Sequence, residues 1–414
     1  MQTKTGKKLL IALSAIGPGL FLIGYNIGTG SVTTMAKAGA EYGMTLFWAL
    51  LLSCIFTYIL MVAYGQMTLV SGNTALFNIR RSFKAGKILS IYIIAALIIG
   101  ELLALMGIMG IVSELVQEGI RLLSGSRTLK VDTFWIILVF AILLYFLLWY
   151  GRYKVFEKIL TVFVIIMALC FLAVFFMVRP SFSAIFEGLV PGIPATSGAF
   201  RLVAAMAGTT CSAAVFIMRS TVVAEKGWTI RDLKTEKKDA FASAFMMLFL
   251  SGVIMAVAAG TLHIMGLRLD STVEMISLFE PIGGRAAAFL LIIGITGAGL
   301  STVFPIVLIA PWLISDYTGT PRNIKSPLSR VLIFIGLVFA FGSVLIEHTP
   351  PIIMVFSQAF QATILPAVAI PVFILLNRQA VMNTHQPSAG MNIGLVAVII
   401  FSLVTTWFAI AGFF

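Results

Sequence analysis

The chain has 414 residues, 60% of them apolar and only 11% charged, with a mean hydropathy of +1.07. A soluble globular domain carries about 45–50% apolar and about 25% charged residues, so that class is excluded and a polytopic membrane protein is indicated. The formal charge of +12 would suit a nucleic-acid binder only if it were gathered on one face, and it is instead scattered between apolar runs.

Runs long enough for the roughly 20 residues of a bilayer span lie at 9–38, 43–71, 88–112, 132–150, 155–178, 198–223, 239–265, 286–315, 328–346, 351–376 and 391–413. These eleven predicted spans leave almost no room for a soluble domain, so 1–414 reads as one transmembrane domain. The basic start at Lys4, Lys7 and Lys8 followed by apolar residues 9–22 has the outline of a signal peptide. The apolar stretch continues to Ala38 without a clear small-residue cleavage site, so it is read as the first span.

With the N-terminus inside, 20 Lys and Arg residues fall on cytoplasmic segments: the N-terminus, 80–87, 152–158, 219–238, 322–330 and Arg378. The other 8 (Lys37, Arg121, Arg127, Lys130, Arg179, Arg201, Arg268 and Arg285) fall outside. This split follows the positive-inside rule and predicts a cytoplasmic N-terminus and an external C-terminus. The chain is expected in a bacterial inner (plasma) membrane, with the lipid bilayer as partner and no nucleic acid.

The first span is interrupted by Gly24-Tyr25-Asn26-Ile27-Gly28-Thr29-Gly30-Ser31. In hydrocarbon every backbone N–H and C=O needs a partner, so a helix opens there only around an enclosed cavity or a ligand. The sixth span carries a matching interruption, Ala207-Gly208-Thr209-Thr210-Cys211-Ser212. Each break heads a set of five spans, predicting repeats at about 9–178 and 198–376 with an extra helix at 391–413. An odd number of spans per repeat inverts the second copy, the plan of secondary transporters that bind at mid-membrane between two broken helices. Small residues at each break also fit plain helix packing. The external stretch 179–200, with Pro180, Pro191 and Pro194, is expected to form a lid or short helix, or a spacer.

The candidate binding groups are therefore Asn26, Gly28, Thr29, Gly30 and Ser31 from the first break and Gly208, Thr209, Thr210, Cys211 and Ser212 from the second. Gln358 and Gln361, three apart in the tenth span, face the same cavity or bond between helices. Glu101 lies in mid-membrane, where a carboxylate is costly enough to suggest a role. It is the candidate for a coupling proton, the alternative being a neutral, hydrogen-bonded acid. Glu118 and Glu114 with Arg121 read as a helix-face ion pair, and Arg219 as a cation snorkelling to the cytoplasmic interface. His263, His348 and His385 have no ligand-spaced partners, and Cys54, Cys170 and Cys211 form no paired motif. No phosphate loop or catalytic triad is present, so neither an enzyme nor a cofactor is indicated.

Several stretches resemble the NRAMP family of metal transporters. They are Ile16-Gly17-Pro18-Gly19-Leu20, the hairpin Ala38-Gly39-Ala40-Glu41-Tyr42-Gly43-Met44-Thr45-Leu46-Phe47-Trp48, and in the tenth span Ser357-Gln358, Leu365-Pro366, Ala369-Ile370-Pro371 and Asn377-Arg378. The resemblance implies an all-α LeuT-like fold of 5+5 inverted helices, discontinuous at the first and sixth, plus an eleventh helix. It also shows what is missing. The family's Asp-Pro-Gly-Asn falls on Gly28, Thr29, Gly30 and Ser31, and its Met-Pro-His pattern falls on Cys211, Ser212 and Ala213. The glutamine before Leu-Pro is Ile364, and of the acidic pair in the third span only Glu101 remains, facing Ala104.

The usual metal ligands of that family are thus absent, and the site offers mainly neutral oxygens and a thiol that apolar surroundings keep protonated. A dehydrated transition ion would want anionic or soft ligands, whereas a magnesium-like ion keeps several waters. The resemblance implies a metal-cation transporter of altered selectivity, working by alternating access and coupled to protons. Two alternatives stay open: a transporter of a small zwitterion or carboxylate held at the 28–31 turn by free N–H groups, and a non-transporting sensor.

Overall fold

The computed structural model describes residues 28–125, 131–150, 153–277, 280–320, 322–346 and 349–412. Nine helices among them are long and apolar enough to cross a membrane, and the chain is an integral membrane protein.

In chain order the helices are α1 (Thr29–Tyr42), α2 (Phe47–Ser71), α3 (Ala75–Ser82), α4 (Gly86–Ser124), α5 (Thr133–Tyr150), α6 (Tyr153–Val178) and α7 (Phe182–Glu187). After the 179–200 stretch come α8 (Ser197–Thr210), α9 (Ala213–Glu225), α10 (Leu233–Ala258) and α11 (Thr272–Ser277). The remainder are α12 (Glu280–Thr318), α13 (Pro327–Phe339), α14 (Gly342–Leu345), α15 (Pro350–Leu376), α16 (Gln379–Met382) and α17 (Ala389–Ala411). Local sequence sets many of the ends. Ser326 and Ser388 cap the N-termini of α13 and α17 through their hydroxyls, and Gly72 ends α2 in the left-handed conformation that glycine adopts without strain.

The third and eighth spans are longer than their apolar runs. α4 and α12 each have 39 residues, about 58 Å at 1.5 Å per residue, against a hydrocarbon core of about 30 Å. Polar residues such as Glu114, Glu118 and Arg121 continue the α4 helix beyond its apolar run, with Arg121 Nη1 3.3 Å from Glu118. The helix-face pairing expected there is present.

Two packing groups organise the molecule. α10 packs on α1 and α2, while α12 packs on α4 and α6, and α15 lies against both α8 and α4. Glycine makes the tightest approaches. A Cβ on Gly39 would stand 2.3 Å from the Met255 carbonyl oxygen, so α1 lies directly against the backbone of α10. The large apolar side chains left exposed, such as Trp407 on α17 and Ile142 on α5, face lipid rather than water, which is what a bilayer solvent permits.

The 179–200 stretch forms the short helix α7 and is stitched over the α1–α2 turn. Trp48 N–H donates to Gly188 O at 2.7 Å, the Trp48 indole donates to Gly192 O at 3.0 Å, and Tyr42 and Thr196 share a hydroxyl bond of 3.0 Å.

Candidate functional site

The first break supplies the start of α1. Gly28 is extended (φ −95°, ψ −169°), and α1 begins with neither a side-chain cap nor an acidic residue in its first turn. The glycines here admit other helices. A Cβ on Gly28 would sit 1.9 Å from Thr302 Oγ1 of α12, and one on Gly30 would meet the Met354 methyl at 2.6 Å and the Gln358 amide nitrogen at 2.9 Å. Asn26, with the half of the first span that precedes it, lies outside the described residues.

The second break separates α8 from α9 at Cys211 and Ser212, and its freed backbone is re-satisfied locally, as hydrocarbon requires. Thr57 Oγ1 on α2 shares its proton between Ser53 O and Thr210 O, both at 2.8 Å. Cys211 N–H returns to Ala207 O at 2.7 Å, and the Thr210 hydroxyl donates to Met206 O at 2.6 Å.

Side chains then join the breaks to each other and to α15. Ser31 Oγ and Thr209 Oγ1 are 2.9 Å apart, and Ser212 Oγ donates to Gln361 Oε1 at 3.0 Å. Gly28, Gly30, Ser31, Thr209, Ser212, Gln358, Gln361 and Glu101 border one cavity of about 30 Å³. At roughly 10–15 Å³ per water, that space holds about two waters or one small ion.

The other candidates lie behind this wall. Gly208 is a packing residue, since its Cβ would stand 1.8 Å from Gln358 O, and the Thr210 and Cys211 side chains are buried away from the cavity. The Thr29 hydroxyl turns towards Gly299 and has no hydrogen-bond partner. Two polar or polarisable lining groups, Thr302 and Met354, escaped the sequence reading. Both sit inside long helices rather than at a break, although α12 carries Pro305 and Pro311 and α15 carries Pro366 and Pro371. For Thr302 the nearby run Gly297-Ala298-Gly299 is the feature that could have drawn notice.

Electrostatically the cavity is sparse. Glu101, 2% exposed, is the single charged side chain among the described residues that line it. Among the described residues no group of three or more His, Cys, Asp or Glu side chains is arranged to hold a metal. The donor set is hydroxyls, two carboxamides, one carboxyl and a thioether, which would suit a small ion that keeps some water.

Two charged clusters lie away from the cavity. Towards the predicted outer face Lys37 Nζ meets Glu41 Oε1 and Asp270 Oδ1, each at 2.7 Å, and Leu269 O at 2.8 Å, so all three ammonium protons are used. Asp270 O also accepts from Thr349 at the start of α15. The second cluster corrects the sequence reading of Arg219. Rather than snorkelling, it is fully buried, because Glu236 and Asp239 of α10 supply partners inside the protein at 2.9 and 2.5 Å. His263 holds Ala40 O through Nδ1 at 3.0 Å.

The family model described as natural resistance-associated macrophage protein-like matches residues 19–411. The divalent metal cation transporter MntH of Pectobacterium carotovorum is 25% identical over 306 residues, covering 72% of this chain and 71% of its own. The MntH of Staphylococcus aureus strain Mu3 is 24% identical over 433 residues, covering 97% and 92%. Among solved structures, the Eremococcus coleocola manganese transporter in complex with an aromatic bis-isothiourea substituted compound superimposes with a TM-score of 0.72. It shares 16% identity and covers 100% of this chain and 90% of its own. MhsT in complex with L-phenylalanine gives 0.60 at 14% identity, covering 96% and 98%. These likenesses show an all-helical, LeuT-like fold, and among the described residues the sixth predicted span is discontinuous between α8 and α9.

Proposed function

The chain belongs to the natural resistance-associated macrophage protein-like (NRAMP) family, and on that premise we propose that it is a secondary transporter of a divalent metal cation. The observation that carries this is the convergence of both helix breaks on one small, oxygen-lined cavity with a single carboxylate. The named relatives are metal cation transporters.

In this reading the cation keeps part of its water and is received by Ser31, Thr209, Ser212, Gln358 and Gln361, with Glu101 as the counter-charge. Magnesium is ordinarily bound through one or two carboxylates plus retained waters, so selectivity is shifted towards a hard, magnesium-like ion. The Met354 thioether is the one lining group that favours softer ions such as manganese. Transport runs by alternating access between two inverted repeats at about 9–178 and 198–376, and Glu101 carries the coupling proton. The N-terminus is cytoplasmic and the C-terminus external, in a bacterial inner membrane. Proteoliposomes loaded with a metal-sensitive dye test the reading: saturable influx of magnesium or manganese supports it, and silence with both removes it.

A second reading has its own support. The N-termini of α1 and α9 both open at the cavity region, and α1 is uncapped there, an arrangement that favours a carboxylate. The small volume of the cavity disfavours a whole amino acid. Thermal stabilisation by any amino acid or organic acid, with none by divalent ions, would select this second reading.

A further inference from the structure

The face of α10 opposite the buried Glu236 lies outside the transport site and looks into the bilayer. Lys234, Lys238, Phe241, Phe245 and Phe249 follow one another at spacings of four, three, four and four residues, which puts all five on one stripe of the helix. Every member of the stripe is exposed.

The three phenylalanines form a ladder. Ring centroids of Phe241 and Phe245 are 6.3 Å apart at an interplanar angle of 17°, and those of Phe245 and Phe249 are 6.5 Å apart at 12°. The rings therefore lie nearly parallel and present one apolar strip, 61, 57 and 47% exposed in turn. From Phe241 to Phe249 the strip rises about 12 Å at 1.5 Å per residue, close to the roughly 15 Å of one leaflet's hydrocarbon. Tyr58 of α2 stands beside it, its ring meeting Phe241 edge-on at 6.1 Å.

The charge sits where a lipid headgroup would meet it. Towards the α10 N-terminus Lys238 is about 4.5 Å from Phe241 along the axis and Lys234 about 10 Å, which places both ammonium groups in the interfacial layer. With Lys237 and Arg231 they make four cations between positions 231 and 238, a density that suits anionic lipid. Among the described residues Lys234, Lys237 and Lys238 form no ion pair. The acids of the same stretch are turned elsewhere: Asp232 accepts from the Thr229 backbone N–H and hydroxyl, and Glu236 and Asp239 point inward to Arg219. Topology alone accounts for lysines at this end of a span, but it does not require a parallel aromatic ladder in register with two of them.

We propose that this stripe binds one anionic phospholipid, its phosphate held by Lys234 and Lys238 and one acyl chain laid along Phe241, Phe245 and Phe249 beside Tyr58. The lipid bears on a helix that supports both parts of the transport machinery. α10 touches α1 at the close approach of Gly39 to the Met255 carbonyl and α9 through Arg219. Occupancy thereby braces α10 from the lipid side, whichever solute the cavity carries.

Photo-cross-linking of the full-length protein in phosphatidylcholine vesicles tests this. The probes are phosphatidylglycerol and phosphatidylcholine, each with a diazirine in the acyl chain, and adducts are located by peptide mass spectrometry. On residues 241–249 the phosphatidylglycerol probe is expected to exceed the other by about fivefold or more, the ratio that one lysine near anionic lipid supplies. The double variant K234Q/K238Q brings the two probes to parity there. Residues 393–400 of α17, where Ile393 and Ile400 also face lipid, label equally with both probes in both proteins and report an intact fold. Equal labelling of 241–249 by the two probes in wild type overturns the proposal. So does a phosphatidylglycerol excess that survives K234Q/K238Q, or one that is as large on 393–400.

Discussion

Ser31 Oγ and Thr209 Oγ1 stand 2.9 Å apart although 178 residues separate them in sequence. This contact joins the first turn of α1 to the last turn of α8 beside the cavity. Either S31A or T209V removes a buried bond with a net value of about 0.5–1.5 kcal/mol. Each single change is expected to raise the KM for ion uptake by up to about tenfold, since about 1.4 kcal/mol is a factor of ten. The double change is expected to cost less than the sum, as contacting residues are not additive. Strictly additive effects in uptake assays would show that the hydroxyl pair is not coupled.

Gly208 tests the packing around the second break. A methyl group there would stand 1.8 Å from the Gln358 carbonyl, a backbone atom that cannot swing aside. G208A is therefore expected to lower thermal stability by an overpacking cost of about 1–3 kcal/mol. G390A, where a Cβ meets nothing within 4 Å, serves as the neutral control. Melting curves in detergent that coincide for the two variants would contradict this close approach of α8 to α15.

Lys37 fastens the C-terminal part of α1 to Asp270 and Leu269. K37M deprives Glu41 and Asp270 of their shared cation. Lys37 and Glu41 are largely covered while the Asp270 side chain is 55% exposed, so the loss lies between about 1 kcal/mol for an exposed pair and about 3–5 kcal/mol for a buried one. The expected result is a lower melting temperature and faster thiol labelling of a cysteine introduced at Ser31 from the external side. Unchanged labelling would leave the cluster no part in closing that mouth.

Glu101 carries the proton-coupling prediction. Among the described residues its carboxyl is the one charged group lining the cavity, so E101Q removes both a counter-charge and a proton acceptor. Metal-driven acidification of the vesicle interior is expected to vanish. Acidification at the wild-type rate would assign coupling elsewhere.

Much of this architecture could be read from the chain because membrane physics writes it plainly. Apolar runs of span length and glycine-hydroxyl interruptions at 28–31 and 207–212 mark both the helices and the point where two of them open. The reading was weaker wherever a residue's meaning depends on a distant partner. Arg219 looks like an interfacial cation until Glu236 and Asp239 are seen beside it, and Lys37 looks like topology charge until Asp270, 233 residues away, is brought to it. Thr302 and Met354 stood out less because their helices run on through this depth, with only Gly297, Gly299 and Pro305 near Thr302 as a local sign. Their proximity to Gly28 and Gly30 exists only through packing.

Whether a divalent cation sits between the two breaks is read directly by anomalous diffraction from crystals soaked in manganese. One peak is expected inside the cavity bounded by Ser31, Thr209, Gln358 and Glu101, lost when magnesium is present in large excess. A cavity with no peak, or with a carboxylate-shaped ligand against the N–H groups of Thr29 to Ser31, would contradict it.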